Sequence, residues 1–304
     1  MAAVAVAGAA SAQVTITGGI AYGWQSSTEV VDADSRAERA GFGVDTSSVT
    51  FAASEDLGGG MSVSGSMTIG SINRSSTITG ENHVMTLNAS SMGSFSFQNV
   101  EIGSGIRGIG SAGAPVNNME GEILGAAGNG NIAKYTFPAM IDGVALSVNH
   151  VSGNTAMGMG DSDDDATSNG IAVDYAAGAL TAKVDYTNYQ VNAAGYTSKI
   201  RVAASYDMGM ATVGFGNESN AAADAADADK YTSIGLSAPV GSNMTVGIVR
   251  VTKKIGTAAS LAGTSYDLKY NLSKRTNLSA SVSNWDASST VRSDKTKVVL
   301  SHAF

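Results

Sequence analysis

The sequence predicts an all-β protein, a transmembrane antiparallel up-and-down β-barrel of sixteen strands. Three observations predict this fold. Apolar and polar residues alternate with period two from end to end, short and long connections alternate, and aromatic residues lie near predicted strand ends. The composition agrees, because 37 Gly and many Ser, Thr and Ala residues leave few segments that favour helices.

Composition and charge exclude several other classes. The 14% of charged and 43% of hydrophobic residues argue against a disordered chain. The absence of Cys argues against a disulfide scaffold. A formal net charge of −8 disfavours nucleic acid as the partner.

The first residues are typical of a processed export signal. The apolar run 2–9 precedes Ala10-Ser11-Ala12, which has the small-residue spacing of a cleavage site. We therefore expect residues 1–12 to be the remnant of a signal peptide and residues 13–304 to form a single domain. An apolar first strand is the alternative for this run.

The alternation assigns each strand in turn. In the first strand Val14, Ile16, Ile20, Tyr22 and Trp24 share one face, and small or polar residues occupy the other. The same argument predicts the full set of strands, which lie near 14–24, 42–54, 61–70, 83–90, 94–103, 130–140, 144–151, 169–176, 180–190, 196–206, 211–217, 230–238, 244–252, 263–272, 278–286 and 292–304.

The connections between these strands alternate in length. Short Gly-bearing turns separate longer polar stretches, which lie at 25–41, 71–82, 104–129, 152–168, 191–195, 218–229, 253–262 and 287–291. Alternation of this kind is typical of an up-and-down barrel with one trimmed end. In a membrane such a sheet must close, because unpaired edges would leave backbone groups unsatisfied in lipid. A barrel of this size encloses water.

Aromatic residues near strand ends favour the membrane interpretation over a soluble sandwich. In a transmembrane barrel, aromatic side chains form girdles at the two interfaces. The residues assigned to these girdles are Trp24, Tyr135, Phe137, Tyr186, Tyr189, Tyr206, Tyr231, Trp285 and Phe304.

The last strand is the most specific local pattern. Val298, Leu300, His302 and Phe304 alternate with Lys297, Val299, Ser301 and Ala303, and the chain ends on the aromatic Phe304. The chain resembles the Gram-negative general porins, particularly the beta-proteobacterial type. Four segments carry this resemblance, and they are the last strand, the start of the first strand, the hairpin VTFAASEDLGGGMSV at 49–63 and KYTFPAMIDG at 134–143.

The resemblance implies a trimeric outer-membrane channel for passive diffusion of ions and small hydrophilic solutes. It implies that the third long loop, about 104–129, folds into the lumen and constricts it. Outer-membrane lipid, lipopolysaccharide and other copies of the chain are the expected partners, with no nucleic acid.

Selectivity in such a channel depends on the charges at its narrowest point. The constriction loop carries Arg107, Glu120 and Glu122. Basic residues of the wall should face it, and the candidates are Arg39, Arg74, Lys134, Lys183, Lys199, Arg201 and Lys269. We expect a transverse field and a weak preference for anions. Scattered solvated charge is the alternative, and the phase of Arg250 stays open.

An acidic cluster lies in a later long loop. Asp161, Asp163 and Asp165 suit a weak divalent-cation site, such as one for calcium that bridges lipopolysaccharide, although the Gly and Glu of an EF-hand are missing. A solvated acidic loop is the alternative. No other cofactor is expected.

The sequence contains no pattern typical of an enzyme. His83, His150 and His302 have no His or Cys neighbour at metal-ligand spacing, and no nucleophile motif lies at a strand-to-helix turn. The remaining alternatives are a substrate-selective outer-membrane channel and an exported soluble β-rich surface or adhesion protein.

Overall fold

A computed structural model describes most of the chain. The described residues are 13–30, 36–73, 77–101, 104–115, 119, 123–124, 129–152, 167–191, 195–224, 226–285 and 294–304. In this part of the chain, sixteen strands and a short helix form one closed barrel. The predicted signal remnant, residues 1–12, lies outside the described residues.

The strands follow one another around the barrel in chain order. Their bounds are β1 Gln13–Val30, β2 Arg36–Gly58, β3 Met61–Gly70, β4 Thr79–Ala89, β5 Gly93–Glu101, β6 Asn129–Thr136, β7 Val144–Ser152 and β8 Thr167–Ala177 in the first half. In the second half they are β9 Leu180–Val191, β10 Tyr196–Asp207, β11 Thr212–Ala222, β12 Asp229–Val240, β13 Met244–Ile255, β14 Leu261–Asn271, β15 Thr276–Trp285 and β16 Asp294–Ala303. The helix α1, Ser104–Gly110, lies between β5 and β6.

The first and last strands close the sheet. β1 pairs antiparallel with β16, with Tyr22 opposite Leu300 and Trp24 opposite Val298. At the chain terminus the Gly18 N–H donates to the Phe304 carbonyl over 3.0 Å, and the Phe304 N–H donates to the Gly18 carbonyl over 2.9 Å. The closed sixteen-strand architecture predicted from the sequence is therefore confirmed.

Successive residues of each strand face opposite sides of the wall. In β12, Ser233 is 0% exposed and its neighbour Ile234 is 60% exposed. Large apolar side chains such as Phe97, Ile171 and Leu300 are exposed on the outer face, where lipid would cover them. The inner face carries mainly Ser, Thr, Gly and charged residues, which suits an aqueous lumen.

The outer apolar band ends toward the long connections at a row of polar side chains. We call these residues the polar row, and its hydrogen-bonded pairs are Asn99 to Asn131 (2.8 Å), His150 to Asn169 (2.9 Å), Asn217 to Thr232 (3.1 Å) and Arg250 to Thr264 (3.0 Å). Side chains that pair laterally in this way mark the level at which the outer surface changes from apolar to polar. None of the described helical residues belongs to a stretch long and apolar enough to cross a membrane.

The first hairpin reaches further than the sequence predicts. β1 continues to Val30 and β2 begins at Arg36, so most of the predicted loop 25–41 is strand. The backbone ladder continues past the apolar band because polar residues such as Ser27 and Arg39 pair across it as readily as apolar ones.

Part of the predicted aromatic girdle is wrong. Tyr189, Tyr231 and Trp285 lie on the lumen face, since they pair with the lumen-facing residues Ser168, Glu218 and Gly263. Their distance from the strand end suggested an interfacial position, but side-chain direction depends on the phase of the strand.

Candidate functional site: the barrel lumen

The inner face of the wall is lined by small polar side chains. These are supplied by alternate positions of the strands, and the buried serines among them are Ser27, Ser96, Ser147, Ser168, Ser233, Ser237, Ser265, Ser279, Ser281 and Ser283. Small hydroxyl groups occupy little of the cross-section, and each can donate to or accept from a neighbouring polar group. Such a wall leaves the lumen open to water and to any connection between strands that folds into it.

The connection between β5 and β6 contacts the lumen side of the wall. We call its described residues, 104–115, 119 and 123–124, the inner segment. The helix α1 contacts β9, β10, β11 and β12. The Ser233 hydroxyl donates to the Gly110 carbonyl over 3.3 Å, and the Ser237 hydroxyl donates to the Ala112 carbonyl over 2.6 Å. Both serines belong to the inner face of β12, opposite to the outward Ile234.

Glycines of four adjacent strands form the surface on which the inner segment lies. A Cβ atom at Gly214 would lie 2.6 Å from the Ala112 nitrogen, and one at Gly235 would lie 2.3 Å from the Ser111 carbonyl carbon. The other glycines of this surface meet side chains of the inner segment, and they are Gly216 at Leu124 (3.0 Å), Gly247 at Ala114 (2.6 Å) and Gly263 at Met119 (2.6 Å). We call these five residues the glycine seat. It allows the inner segment to approach the wall more closely than any side chain would permit.

A hydrophobic cluster holds the inner segment on this seat. Ile106, Met119 and Leu124 are each 1% exposed and belong to one buried cluster with the wall residues Val249 and Val251. Ile123, Ala203 and the partly buried Trp285 complete it. Apolar contact with the wall therefore fixes the position of the inner segment, since burial of this surface away from lumen water is favourable.

The phase of Arg250, left open by the sequence, follows from this cluster. Val249 and Val251 turn inward to meet the inner segment, so Arg250 between them faces outward. Apolar residues of β13 therefore lie on both the inner and the outer face, which explains why the sequence of this strand shows no single alternation of apolar and polar residues.

An ion pair fixes the start of the inner segment. Arg107 of α1 is 4% exposed, and its Nη2 donates to Glu101 Oε1 at the end of β5 over 2.9 Å. The other two predicted constriction residues, Glu120 and Glu122, lie outside the described residues.

The predicted basic residues of β9 and β10 lie on the lumen face and are paired. Lys183 Nζ is 2.7 Å from Asp174 Oδ1, and Arg201 Nε is 2.8 Å from Asp185 Oδ1. Lys199 Nζ is 3.5 Å from Glu218 Oε1. Arg201 and Asp185 are buried, so they support the wall beneath the inner segment, whereas Asp174 remains accessible from the lumen.

Other predicted wall residues have different surroundings. Lys134 of β6 and Lys269 of β14 share the phase of the lumen-facing residues Ser96 and Asp267, and neither has an ion pair among the described residues. Arg39 of β2 lies opposite Ser27 on the lumen face. Arg74 lies outside the described residues.

Sequence reasoning missed several lumen charges. Lys297 Nζ lies 2.5 Å from Asp45 Oδ1, and both line a recess of about 440 Å³ with Arg39 and Gly23 on the inner face of β1, β2 and β16. Lys253 Nζ lies 5.0 Å above the ring of Tyr231. The alternation of β16 could have identified Lys295 and Lys297, because Val298 and Leu300 already assign them to the inner face.

Potential metal ligands are scattered over the part of the chain that the structure describes. No group of three or more His, Asp or Glu side chains suited to a metal ion occurs among the residues it describes. The predicted cation cluster Asp161, Asp163 and Asp165 lies outside those residues. His302 lies on the outer face, where its Nδ1 is 2.9 Å from Thr276 Oγ1.

Comparison with known families gives one match. The profile described as Gram-negative porin matches residues 1–290. A comparison with curated protein sequences finds no significant match.

Comparison with solved structures gives matches over nearly the whole chain. The anion-selective porin from Comamonas acidovorans has a TM-score of 0.72 at 20% identity, over 97% of this chain and 100% of that one. The trimer form of OmpT from Vibrio cholerae has a TM-score of 0.68 at 14% identity, over 97% and 100%. A mutant of Rh. blastica porin has a TM-score of 0.66 at 15% identity, over 96% and 100%. At these identities the likeness concerns the fold.

Proposed function

The chain belongs to the Gram-negative porin family, because the family profile covers nearly all of it, and we propose that its lumen is a general-diffusion pathway with a weak preference for anions. As a porin it is an integral outer-membrane β-barrel that lets ions and small hydrophilic solutes diffuse passively.

The charges of the inner wall carry the proposal of anion preference. The lumen-facing positions of the described strands carry the cations Arg39, Lys134, Lys183, Lys199, Arg201, Lys253, Lys269, Lys295 and Lys297. The carboxylates at such positions are Asp45, Asp56, Asp174, Asp185, Asp207, Glu218, Asp229 and Asp267, of which Asp56 and Asp207 lie at the short-turn ends of their strands. The chain as a whole has a net charge of −8, whereas the described lumen-facing positions carry nine cations and eight carboxylates, so the inner wall is slightly positive in an acidic molecule. A positive lumen concentrates anions near the passage.

The inner segment supports the proposal of a constriction. It contacts the inner faces of β9 to β12, so it narrows the lumen on that side. The passage then runs between the inner segment and the opposite wall, where Arg39 and Lys297 lie. Lys134, which has no ion pair among the residues that the structure describes, adds a positive charge on the wall between these two regions.

We further propose that the chain assembles as a homotrimer, as the trimer form of Vibrio cholerae OmpT does. The outer surface that remains apolar would face lipid or the neighbouring copies. The mass of the detergent-solubilised protein, measured by light scattering with the detergent contribution subtracted, should equal three chains. A monomer mass under mild extraction would contradict this assembly.

Planar-bilayer recordings test the proposed function. Purified protein should insert in discrete conductance steps, and the zero-current potential in a KCl gradient should lie on the chloride side. Lys134→Gln should shift this potential toward the potassium side, and Lys134→Glu should shift it by about twice as much, because the charge change doubles. No stepwise conductance would overturn the channel, and equal potentials in all three proteins would remove Lys134 from the selectivity mechanism.

A further inference from the structure

Three branched aliphatic side chains face the lumen at one level of the wall. They are Val84 of β4, Ile132 of β6 and Val151 of β7, and each is partly exposed. Val84 pairs with the lumen-facing Ser66, and Val151 pairs with both the lumen-facing Ser168 and Ile132. All three are therefore inward positions of their strands. We call these three residues the aliphatic row.

Packing of the inner segment does not account for the aliphatic row. The inward aliphatic residues of β13, Val249 and Val251, belong to the buried cluster that holds the inner segment. Among the described residues, that cluster includes no member of the aliphatic row. Apolar surface in contact with water is unfavourable, so a solute with an apolar part gains free energy by covering it.

The wall around these residues has room for an apolar group. Gln98 of β5 lies between Val84 and Ile132 in the register, and its Nε2 donates to Ser96 Oγ over 2.8 Å. This bond directs the amide toward the short turns and leaves the methylene stem of Gln98 between the two aliphatic side chains. Beside Val84, small side chains of β1 to β3 border a recess of about 310 Å³, and they are Thr15, Ala52, Ser54, Ser64 and Ser66.

A cation lies next to the aliphatic row on the side of the short turns. Lys134 follows Ile132 by two residues, so it shares the lumen face about 7 Å further along β6. Lys134 has no ion pair among the described residues, whereas the lumen-facing Asp174 is held by Lys183 over 2.7 Å. An ammonium group beside an apolar surface matches a solute that carries a carboxylate at one end of an apolar body.

We propose that the aliphatic row and Lys134 bind small organic monocarboxylates with an apolar body, in preference to equally charged hydrophilic anions. This inference rests on the proposed function, because it assigns a class of solute to the same lumen. The carboxylate pairs with the Lys134 ammonium group, and the apolar body displaces water from Val84, Ile132 and Val151. Burial of one methylene group strengthens binding about fourfold, so contact with few such groups gives discrimination.

Block of the chloride current by added solutes tests this site. Hexanoate carries both the charge and the apolar body, gluconate carries the charge on a hydroxylated chain, and hexanamide carries the apolar body without the charge. The variant combines Val84→Thr, Ile132→Thr and Val151→Thr, which keep β-branched side chains in the strands. Val148→Thr is the matched control, because Val148 lies on the outer face of β7.

The measured quantity is the concentration of each solute that halves the single-channel chloride conductance. In the wild type and in Val148→Thr, this concentration should be about fivefold lower for hexanoate than for gluconate or hexanamide. In the triple variant, hexanoate and gluconate should agree within about twofold, because both retain the pairing with Lys134 and neither has an apolar surface to cover.

Four outcomes would overturn the proposal. Equal block of the wild type by hexanoate and gluconate would show that charge alone is recognised, and equal block by hexanamide would remove Lys134 from the site. A preference for hexanoate that persists in the triple variant would place the apolar contact elsewhere in the lumen. Loss of the preference in Val148→Thr would assign it to the outer surface. The channel is tested separately, since stepwise conductance with a wild-type zero-current potential in the triple variant retains the proposed function whatever the block shows.

Discussion

Gly235 and Ser111 touch backbone to backbone: a Cβ atom on Gly235 would lie 2.3 Å from the carbonyl carbon of Ser111. This contact joins the lumen face of β12 to the inner segment. Gly214 has a similar backbone contact with Ala112, whereas Gly216, Gly247 and Gly263 face side chains of the inner segment. A Cβ contact under 3 Å with backbone cannot be relieved by rotating a side chain. The width of the passage therefore depends on residues of the wall that carry no side chain at all.

Gly235→Ala should displace the inner segment from the wall. The added methyl group pushes Ser111 toward the water-filled part of the lumen, so the single-channel conductance should fall. Gly41→Ala is the control, since Gly41 lies on the inner face of β2 with no atom within 4 Å of its Cβ position. If both variants conduct alike, the inner segment does not depend on the glycine seat.

Ile106→Ala should loosen the inner segment without unfolding the barrel. Truncation of a buried Ile costs about 2 kcal/mol or more, which corresponds to about thirtyfold in a local opening equilibrium. Hydrogen exchange should therefore accelerate by about that factor at the amides of Ser111, Ala112 and Gly113, which are bonded to carbonyls of α1. The outward variant Ile234→Ala should leave these amides unchanged. Equal protection in both variants would contradict the anchoring role of the cluster.

Arg201→Gln should destabilise the barrel far more than Lys183→Gln. Both cations pair with a carboxylate on the lumen face, but the side chains of Arg201 and Asp185 are 8% and 10% exposed, whereas that of Asp174 is 42% exposed. Loss of Arg201 leaves the buried carboxylate of Asp185 without its partner, which lowers the free energy of unfolding by about 3–5 kcal/mol. Loss of Lys183 should cost about 1 kcal/mol or less because water screens Asp174.

Urea unfolding in lipid vesicles measures this difference. The double variant Arg201→Met with Asp185→Leu should recover most of the stability that Arg201→Gln loses, since no unpaired charge remains. Similar midpoints for Arg201→Gln and Lys183→Gln would show that lumen water reaches both pairs equally.

The strands could be predicted because lipid on one side and water on the other impose a strict alternation. In β9, Val184 and Tyr186 face outward and Lys183 and Asp185 face inward, as their sequence order requires. The same rule places Tyr189 inward, and the girdle prediction failed there because it used distance from the strand end instead of phase. The alternative of a soluble β-rich protein is wrong, because the exposed apolar face is continuous around a closed barrel and the chain is a porin.

The site could be predicted less well because its contacts join residues that are far apart in the sequence. The hydrogen bond between Ser233 and Gly110 spans 123 positions, and no local pattern indicates it. In the sequence, the residues of the glycine seat cannot be told from other strand glycines, because only their contact with the inner segment distinguishes them. The helix α1, with the sequence SGIRGIG, has poor intrinsic propensity and is held by Ile106 and the Arg107–Glu101 pair. Tertiary contacts therefore determine this part of the structure.

Cysteine accessibility at two adjacent residues of β3 tests the central claim most directly. The chain contains no Cys, so each introduced thiol is the only one present. Ser66 belongs to the lumen face, whereas Met67 is 48% exposed on the outer face. A charged methanethiosulfonate added to single channels should lower the conductance of Ser66→Cys in discrete steps and leave Met67→Cys unchanged. Modification of Met67→Cys with an unreactive Ser66→Cys would contradict an aqueous passage bounded by this face of the wall.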